Sequence, residues 1–272
     1  MPTPIADGRQ IRWGIIGAGG IADTVGGDIN LTAGNVVTAV AARHADRAAK
    51  FAAKQAGVFA MEAMWTRTNP LIRKAQQLIA DGAIGDVRGV RNEFGLGRAF
   101  DPHDRLYELA NGGGALLDLG VYPATFAYLF LGRPDAVHTV GTLSPTGSDE
   151  TVAMQWMYGD HPGAQLWTSA LIYAPNEAAI LGTNGWMSFL PEAYRPTGLI
   201  LHTDAGEEHF DDPLAGNGRG YQPEIEEVER CLRAGLMESP LIPHADTIAI
   251  LEILDDARAA VGVVYPGERV RS

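Results

Sequence analysis

Residues 12–29 read RWGIIGAGGIADTVGGDI. The apolar run Ile11 to Ile16 ends in Gly17-Ala18-Gly19-Gly20-Ile21-Ala22, which has the form GxGxxA. Between a strand and a helix, that spacing makes a turn tight enough for phosphates to approach the backbone. The helix N-terminus then offers free N–H groups to a pyrophosphate. The stretch predicts a strand over 11–16, a helix over 21–29 and a dinucleotide site at Gly17, Gly19, Gly20 and Ile21.

Working outward, VVTAVAA (36–42) reads as a second buried strand, with Arg43 directly after it. In a dinucleotide fold the end of this strand meets the adenosine ribose. An acid there suits a free 2′-OH and an arginine suits a 2′-phosphate. Arg43 tilts the site towards NADP, and a solvated loop arginine is the alternative of equal weight. Asp46 to Ala56 reads as a helix stopped by Gly57, and VFAMEAMW (58–65) as a third strand. Asn69-Pro70 opens a helix that runs to Ala80, with Gly82 just past its end. Residues 1–82 therefore hold three strands, where a complete dinucleotide domain has about six. A right-handed crossover predicts the order 2-1-3 for this truncated Rossmann-like parallel sheet.

From Asp86 the pattern changes. Val87–Phe94 reads as a strand. The loop from Gly95 to Leu106 carries Arg98, Asp101, His103, Asp104 and Arg105. Gly112-Gly113-Gly114 precedes an apolar helix, about Ala115 to Leu131, that contains Asp118 and Tyr122. Strand candidates follow at 136–143, 151–158, 164–173, 177–182, 186–190 and 199–203, a run that predicts an open, mainly antiparallel sheet. Helices over 223–234 and 244–261 close the chain. The fold class is α/β, with a truncated domain over 1–82 and an α+β domain over 83–272.

Composition narrows the function classes. A formal net charge of −12 argues against general nucleic-acid binding, which wants a basic surface. Cys231 is the only cysteine, so no disulfide framework or cysteine-rich metal site forms within the chain. Asp101-x-His103-Asp104 has no fixed ligand spacing, and no metal is expected. The N-terminal residues do not read as a signal peptide, and no apolar run of about eighteen residues occurs. The expectations are no membrane partner and a cytoplasmic location.

Four stretches carry a resemblance to a known family: GIIGAGGIA (14–22), MEAMWTR (61–67), GGGALLDLGVYP (112–123) and RCLRAGLMESPLIPHADTIAILEILDDAR (230–258). The chain resembles the Gfo/Idh/MocA oxidoreductases, in particular the dihydrodiol and xylose dehydrogenase-like branch. That resemblance implies an N-terminal Rossmann domain and a C-terminal domain whose open sheet face often forms subunit contacts. It implies hydride transfer between NAD(P) and a sugar, cyclic polyol or diol. It places Tyr122 as general acid/base and Asp118 as the group that orients substrate or tyrosine.

The chain departs from the family pattern in one large way. Helix 46–56 runs almost directly into Val58, so roughly seventy residues are missing against a complete domain. That interval carries the nicotinamide-side loops and a Glu-Lys-Pro motif in the family. Here the only lysines are Lys50, Lys54 and Lys74, and none precedes a proline. Hydride transfer needs the ring held about 3–3.5 Å from the substrate carbon, and no residue set remains to hold it.

The expectation is therefore an enzyme of dehydrogenase ancestry that works without a cofactor. It would be a hydrolase or lyase acting on a sugar-like small-molecule substrate through Tyr122, Asp118 and His103, with Arg98, Arg105 and Asp101 as substrate contacts. Two alternatives stand beside it: a surviving NADP-dependent oxidoreductase, and a non-catalytic binding protein. The uncovered edge and face of a three-stranded sheet predict a homo-oligomer, with a dimer as the simplest form.

Overall fold

The computed structural model describes residues 10–16, 20–41, 59–216 and 218–268. Strand β1 (Ile11–Ile16) is followed in the described residues by helix α1 (Gly20–Leu31). The chain returns as β2 (Asn35–Ala41), which pairs parallel to β1. The segment from Ala42 to Val58, including the expected helix 46–56, lies outside the described residues.

The third parallel strand does not form. Residues 59–64 have no regular structure, and Trp65–Thr68 is a short helix, α2. The parallel sheet among the described residues has two strands, not the expected three in order 2-1-3. The backbone groups of this segment go elsewhere. Ala60 donates its N–H to the Met237 carbonyl at 3.1 Å and Met64 donates to Glu62 at 2.9 Å. A segment tied down in this way has no free ladder to offer β1.

Helix α3 (Pro70–Ala80) starts on its proline and buries Leu71, Ile72, Ala75 and Leu78, the i, i+3, i+4 stripe of an amphipathic helix. Strand β3 (Val87–Gly95) follows. A short helical turn (Leu109–Asn111) and a π-helical turn (Leu116–Gly120) lead into helix α4 (Val121–Leu131). Then come β4 (Ala136–Leu143), β5 (Asp149–Tyr158), β6 (His161–Ser169), β7 (Ala178–Gly182), β8 (Gly185–Phe189), β9 (Gly198–Thr203) and β10 (Gly206–Asp211). Helices α5 (Gln222–Arg233) and α6 (His244–Ala260) complete the described elements.

The eight strands β3 to β10 form one sheet in the order β10-β9-β8-β7-β3-β6-β5-β4. Only β3 and β6 run parallel; every other neighbouring pair is antiparallel. The mainly antiparallel sheet is as expected, except that β10 was not anticipated. Its residues GEEHFD are too charged to read as a strand. The same charges keep this edge from pairing with another chain.

One face of the sheet carries the core. Val152, Met154 and Trp156 of β5, Leu166 of β6 and Ile180 of β7 pack with Phe126 of α4, Ile72 of α3 and Ile253 of α6. Alternation sends Ala153, Gln155 and Trp167 to the opposite face, which lines a concavity of about 890 Å³. Among the described residues one helical stretch, Leu109–Leu131, meets the length and composition of a membrane span, but Leu116, Phe126 and Ala127 sit fully buried in the core.

The chain divides into two compact units that interleave in sequence. One takes residues up to Pro70 together with Pro213–Thr247; the other takes Leu71–Asp212 and Ile248–Ser272. In the first unit a two-stranded sheet needs cover, and α5 supplies it. Asn35 donates to Glu229 at 2.8 Å, and buried Asp28 accepts the backbone N–H groups of Arg219 (3.1 Å) and Tyr221 (3.0 Å). Trp65 stacks on Tyr221 with ring centroids 4.2 Å apart.

Candidate functional site

Every substrate-side residue singled out from the sequence lies in the second unit. Their scaffold is the loop after β3 and the start of the helix that follows it. The loop is anchored by its own small core, in which Leu106, Tyr107, Ala115 and Ala170 are fully buried. The Tyr107 hydroxyl donates to the Arg98 carbonyl at 2.6 Å. Asp104 accepts the Leu106 N–H at 2.9 Å and pairs with Arg98 at 2.8 Å, and these bonds hold its carboxyl below the usual range. Asp101 accepts the His103 N–H at 2.9 Å, the side-chain-to-backbone bond that turns a chain. The His103 ring itself is exposed and takes no hydrogen bond among the described residues.

Arg105 reaches from this loop to the carboxylate of Asp118, which accepts a hydrogen bond from its guanidinium. That bond, with the nearby charges of Asp118, Asp104 and Tyr122, raises the arginine above its ordinary value. Arg105 thus closes on Asp118, which lies four residues before Tyr122. Four-residue spacing brings these two to one helix face, but the backbone between them is not simple α-helix. Asp118 sits in the π-helical turn, and Tyr122 follows in the first turn of α4. Such turns recur at functional sites because the extra residue re-aims the side chains beside it. No periodicity in GGGALLDLGVYP distinguishes it from an α-helix.

Tyr122 is half-buried, and its ring is seated by two aromatic neighbours. It meets Phe94 edge-on at 5.6 Å and Tyr194 at 5.9 Å, while Phe94 and Tyr194 stack at 4.4 Å. The sequence offered no signal for Tyr194, which arrives from the loop between β8 and β9. The concavity on the open face of the sheet contains neither Asp118 nor Tyr122.

Of the cofactor residues, Gly20 is the first residue of α1 and Ile21 the second. Gly17, Gly19 and Arg43 lie outside the described residues. The described parts fit the phosphate end of a dinucleotide: a strand and a helix start, beside a parallel neighbour. Among the described residues there is no cluster that could hold a metal ion.

The chain was compared with known proteins. Residues 72–188 match the GFO/IDH/MocA C-terminal domain. The trans-1,2-dihydrobenzene-1,2-diol dehydrogenase of Mus musculus is 35% identical over 225 residues, covering 80% of this chain and 66% of that protein. The rabbit (Oryctolagus cuniculus) enzyme of the same name is 34% identical over 228 residues, covering 80% and 68%. The chain thus spans about two thirds of the length of the curated relatives it matches. Among solved structures, KijD10, a 3-ketoreductase from Actinomadura kijaniata in complex with NADP and TDP-benzene, shares the fold. Its TM-score is 0.73 at 20% identity, covering 93% of this chain and 98% of that one.

These findings overturn two expectations. A cofactor-independent hydrolase or lyase does not stand: the curated relatives are dehydrogenases, and a protein of the same fold holds NADP. The expected absence of a cofactor falls with it. The missing interval does not by itself decide the reaction, because chemistry is set by a site and not by the completeness of a domain.

Proposed function

The chain belongs to the Gfo/Idh/MocA family, and from that premise we propose that it is an NADP-dependent oxidoreductase acting on a sugar, cyclic polyol or trans-diol. The observation that carries this reading is the pairing of Arg105 with Asp118, four residues before Tyr122, whose ring is seated on the Phe94–Tyr194 stack. When bound, NADP supplies the hydride acceptor. The backbone at Gly17, Gly19, Gly20 and Ile21 would hold its pyrophosphate, and Arg43 its 2′-phosphate.

On the substrate side, the Tyr122 phenolic oxygen takes the proton of the hydroxyl being oxidised. Arg105 holds Asp118 in place and presents a positive charge to the same region, in a chain that lacks the Glu-Lys-Pro lysine. Asp118 accepts from a neighbouring substrate hydroxyl, Arg98 and Asp101 line the loop side, and exposed His103 passes the proton to water. In this reading residues 1–82 descend from the cofactor domain and 83–272 from the substrate and oligomerisation domain, in a cytoplasmic enzyme. The test is growth of NADPH absorbance when the full chain is given NADP with trans-dihydrodiols or aldoses. Reduction that prefers NADP to NAD supports the proposal. No reduction with either cofactor across the panel overturns it.

The same reading includes a homodimer through the open sheet face. Val140 is 70% exposed there, and Trp186 and Leu190 are each 42% exposed, an apolar set that a second copy would cover. Light scattering at micromolar concentration is expected to give a dimer, and Trp186→Glu with Val140→Glu a monomer. A monomeric parent chain would remove this part of the proposal.

A further inference from the structure

We propose that Asp149 and Tyr265 are positioning residues for the Asp118–Tyr122 site, gripping the start of its helix from two sides. The inference rests on the oxidoreductase reading above for what the site does, but its structural half stands apart from it.

Asp149 opens β5 and is fully buried. One carboxylate oxygen accepts the backbone N–H of Leu116, the first residue of the π-helical turn, at 2.5 Å. The other oxygen has no hydrogen-bond partner among the described residues and lies against Gly114. A Cβ added at Gly114 would fall 2.2 Å from that oxygen. The third glycine of Gly112-Gly113-Gly114 is therefore what lets a buried carboxylate reach the helix start. From the other side, the Tyr265 hydroxyl donates to the Gly113 carbonyl at 3.2 Å and lies 3.5 Å from that of Gly112. Tyr265 is itself held: the Arg258 guanidinium stands 4.8 Å over its ring and makes a two-pronged pair with Glu268 at 2.8 and 2.9 Å.

The arrangement has a physical purpose. A helix start leaves backbone N–H groups without partners, and a carboxylate there is favoured by the helix dipole. Burying that carboxylate is costly, and an exposed serine or threonine would cap as well. What a buried acid adds is a fixed point. A π-helical turn is less favourable than α-helix and persists only where its surroundings hold it. A slip of one residue into α-helical register would rotate Asp118 by about 100° around the axis, away from Arg105.

The experiment compares the parent chain with Asp149→Leu, Asp149→Asn and Tyr265→Phe, all full length. Amide hydrogen exchange is followed in peptides spanning 112–124, alongside kcat, KM and the pH profile of NADP reduction. In Asp149→Leu, exchange of these amides is expected to quicken at least about tenfold. Its kcat is expected to fall about ten- to a hundredfold with KM for NADP unchanged, and the pH profile to move. Asp149→Asn keeps an acceptor for Leu116 and is expected to restore both readouts to within about threefold. Unchanged exchange and kcat in a folded Asp149→Leu chain would overturn the proposal. If Asp149→Leu does not fold, Tyr265→Phe decides by the same readouts: faster exchange and lower kcat support the grip, and parental values overturn it. If the parent chain reduces no NADP, the oxidoreductase reading fails, and exchange alone judges the grip.

Discussion

Replacing Tyr122 by phenylalanine is expected to cut NADP reduction about a hundred- to ten-thousandfold, which is about 3–5 kcal/mol of barrier. The ring would stay where it is. Its contacts with Phe94 and Tyr194 are made by the aromatic face and edge, which phenylalanine keeps. Only the phenolic oxygen is lost, and with it the atom proposed above to take the substrate proton. The fold and the affinity for NADP are therefore expected to be retained. The measurement is kcat beside a thermal melt and a cofactor titration on both chains. A Tyr122→Phe chain that turns over at the parental rate would show that another group moves the proton.

The second large effect concerns stability. Glu224 on α5 is buried, and one of its carboxylate oxygens has no hydrogen-bond partner among the described residues. Burial, with a smaller contribution from Glu62, pushes its carboxyl up to about 8. Glu62 keeps its own partner, the Thr247 hydroxyl at 2.7 Å. In the unfolded chain Glu224 titrates near the ordinary glutamate value, so between that value and about 8 the folded state binds more protons. Its contribution is fully present below the unfolded value and is lost as pH rises through about 8. The ceiling on that loss is about 4–5 kcal/mol. Glu224→Gln carries no charge to bury, so it is expected to melt like the parent at pH near 5 and well above it at pH near 9. Parallel pH–melting curves for the two chains would rule this out.

The second unit was largely legible before any coordinates. Strand β4 runs over the residues expected, 136–143. The other strands of this sheet differ by a few residues at their ends, because alternation of apolar and polar side chains marks a half-buried strand directly. The exception, β10, is an edge whose charges hide it from that reading. The first unit was less legible. VFAMEAMW has the composition of a buried strand, yet the backbone of Ala60 bonds to Met237 and Glu62 accepts from Thr247, both far along the chain. Composition reports how well a segment fits a sheet, not whether a neighbouring strand is present to pair with it.

The site divides in the same way. Asp118 and Tyr122 are singled out by the family resemblance of GGGALLDLGVYP, a local motif, and their four-residue spacing alone does not mark them. By itself the sequence determined the two kinds of sheet, the helices that cover one of them and the family resemblance. Only the tertiary structure decided that Arg105 closes on Asp118, that Phe94 and Tyr194 seat Tyr122, and that a π-helical turn and not an α-helix joins the pair. It also decided that α5 packs with the two-stranded sheet. The physical reason is range: hydrophobic periodicity and turn chemistry act between residues a few positions apart. Ion pairs, ring stacks and buried caps act between residues that only the folded chain brings together.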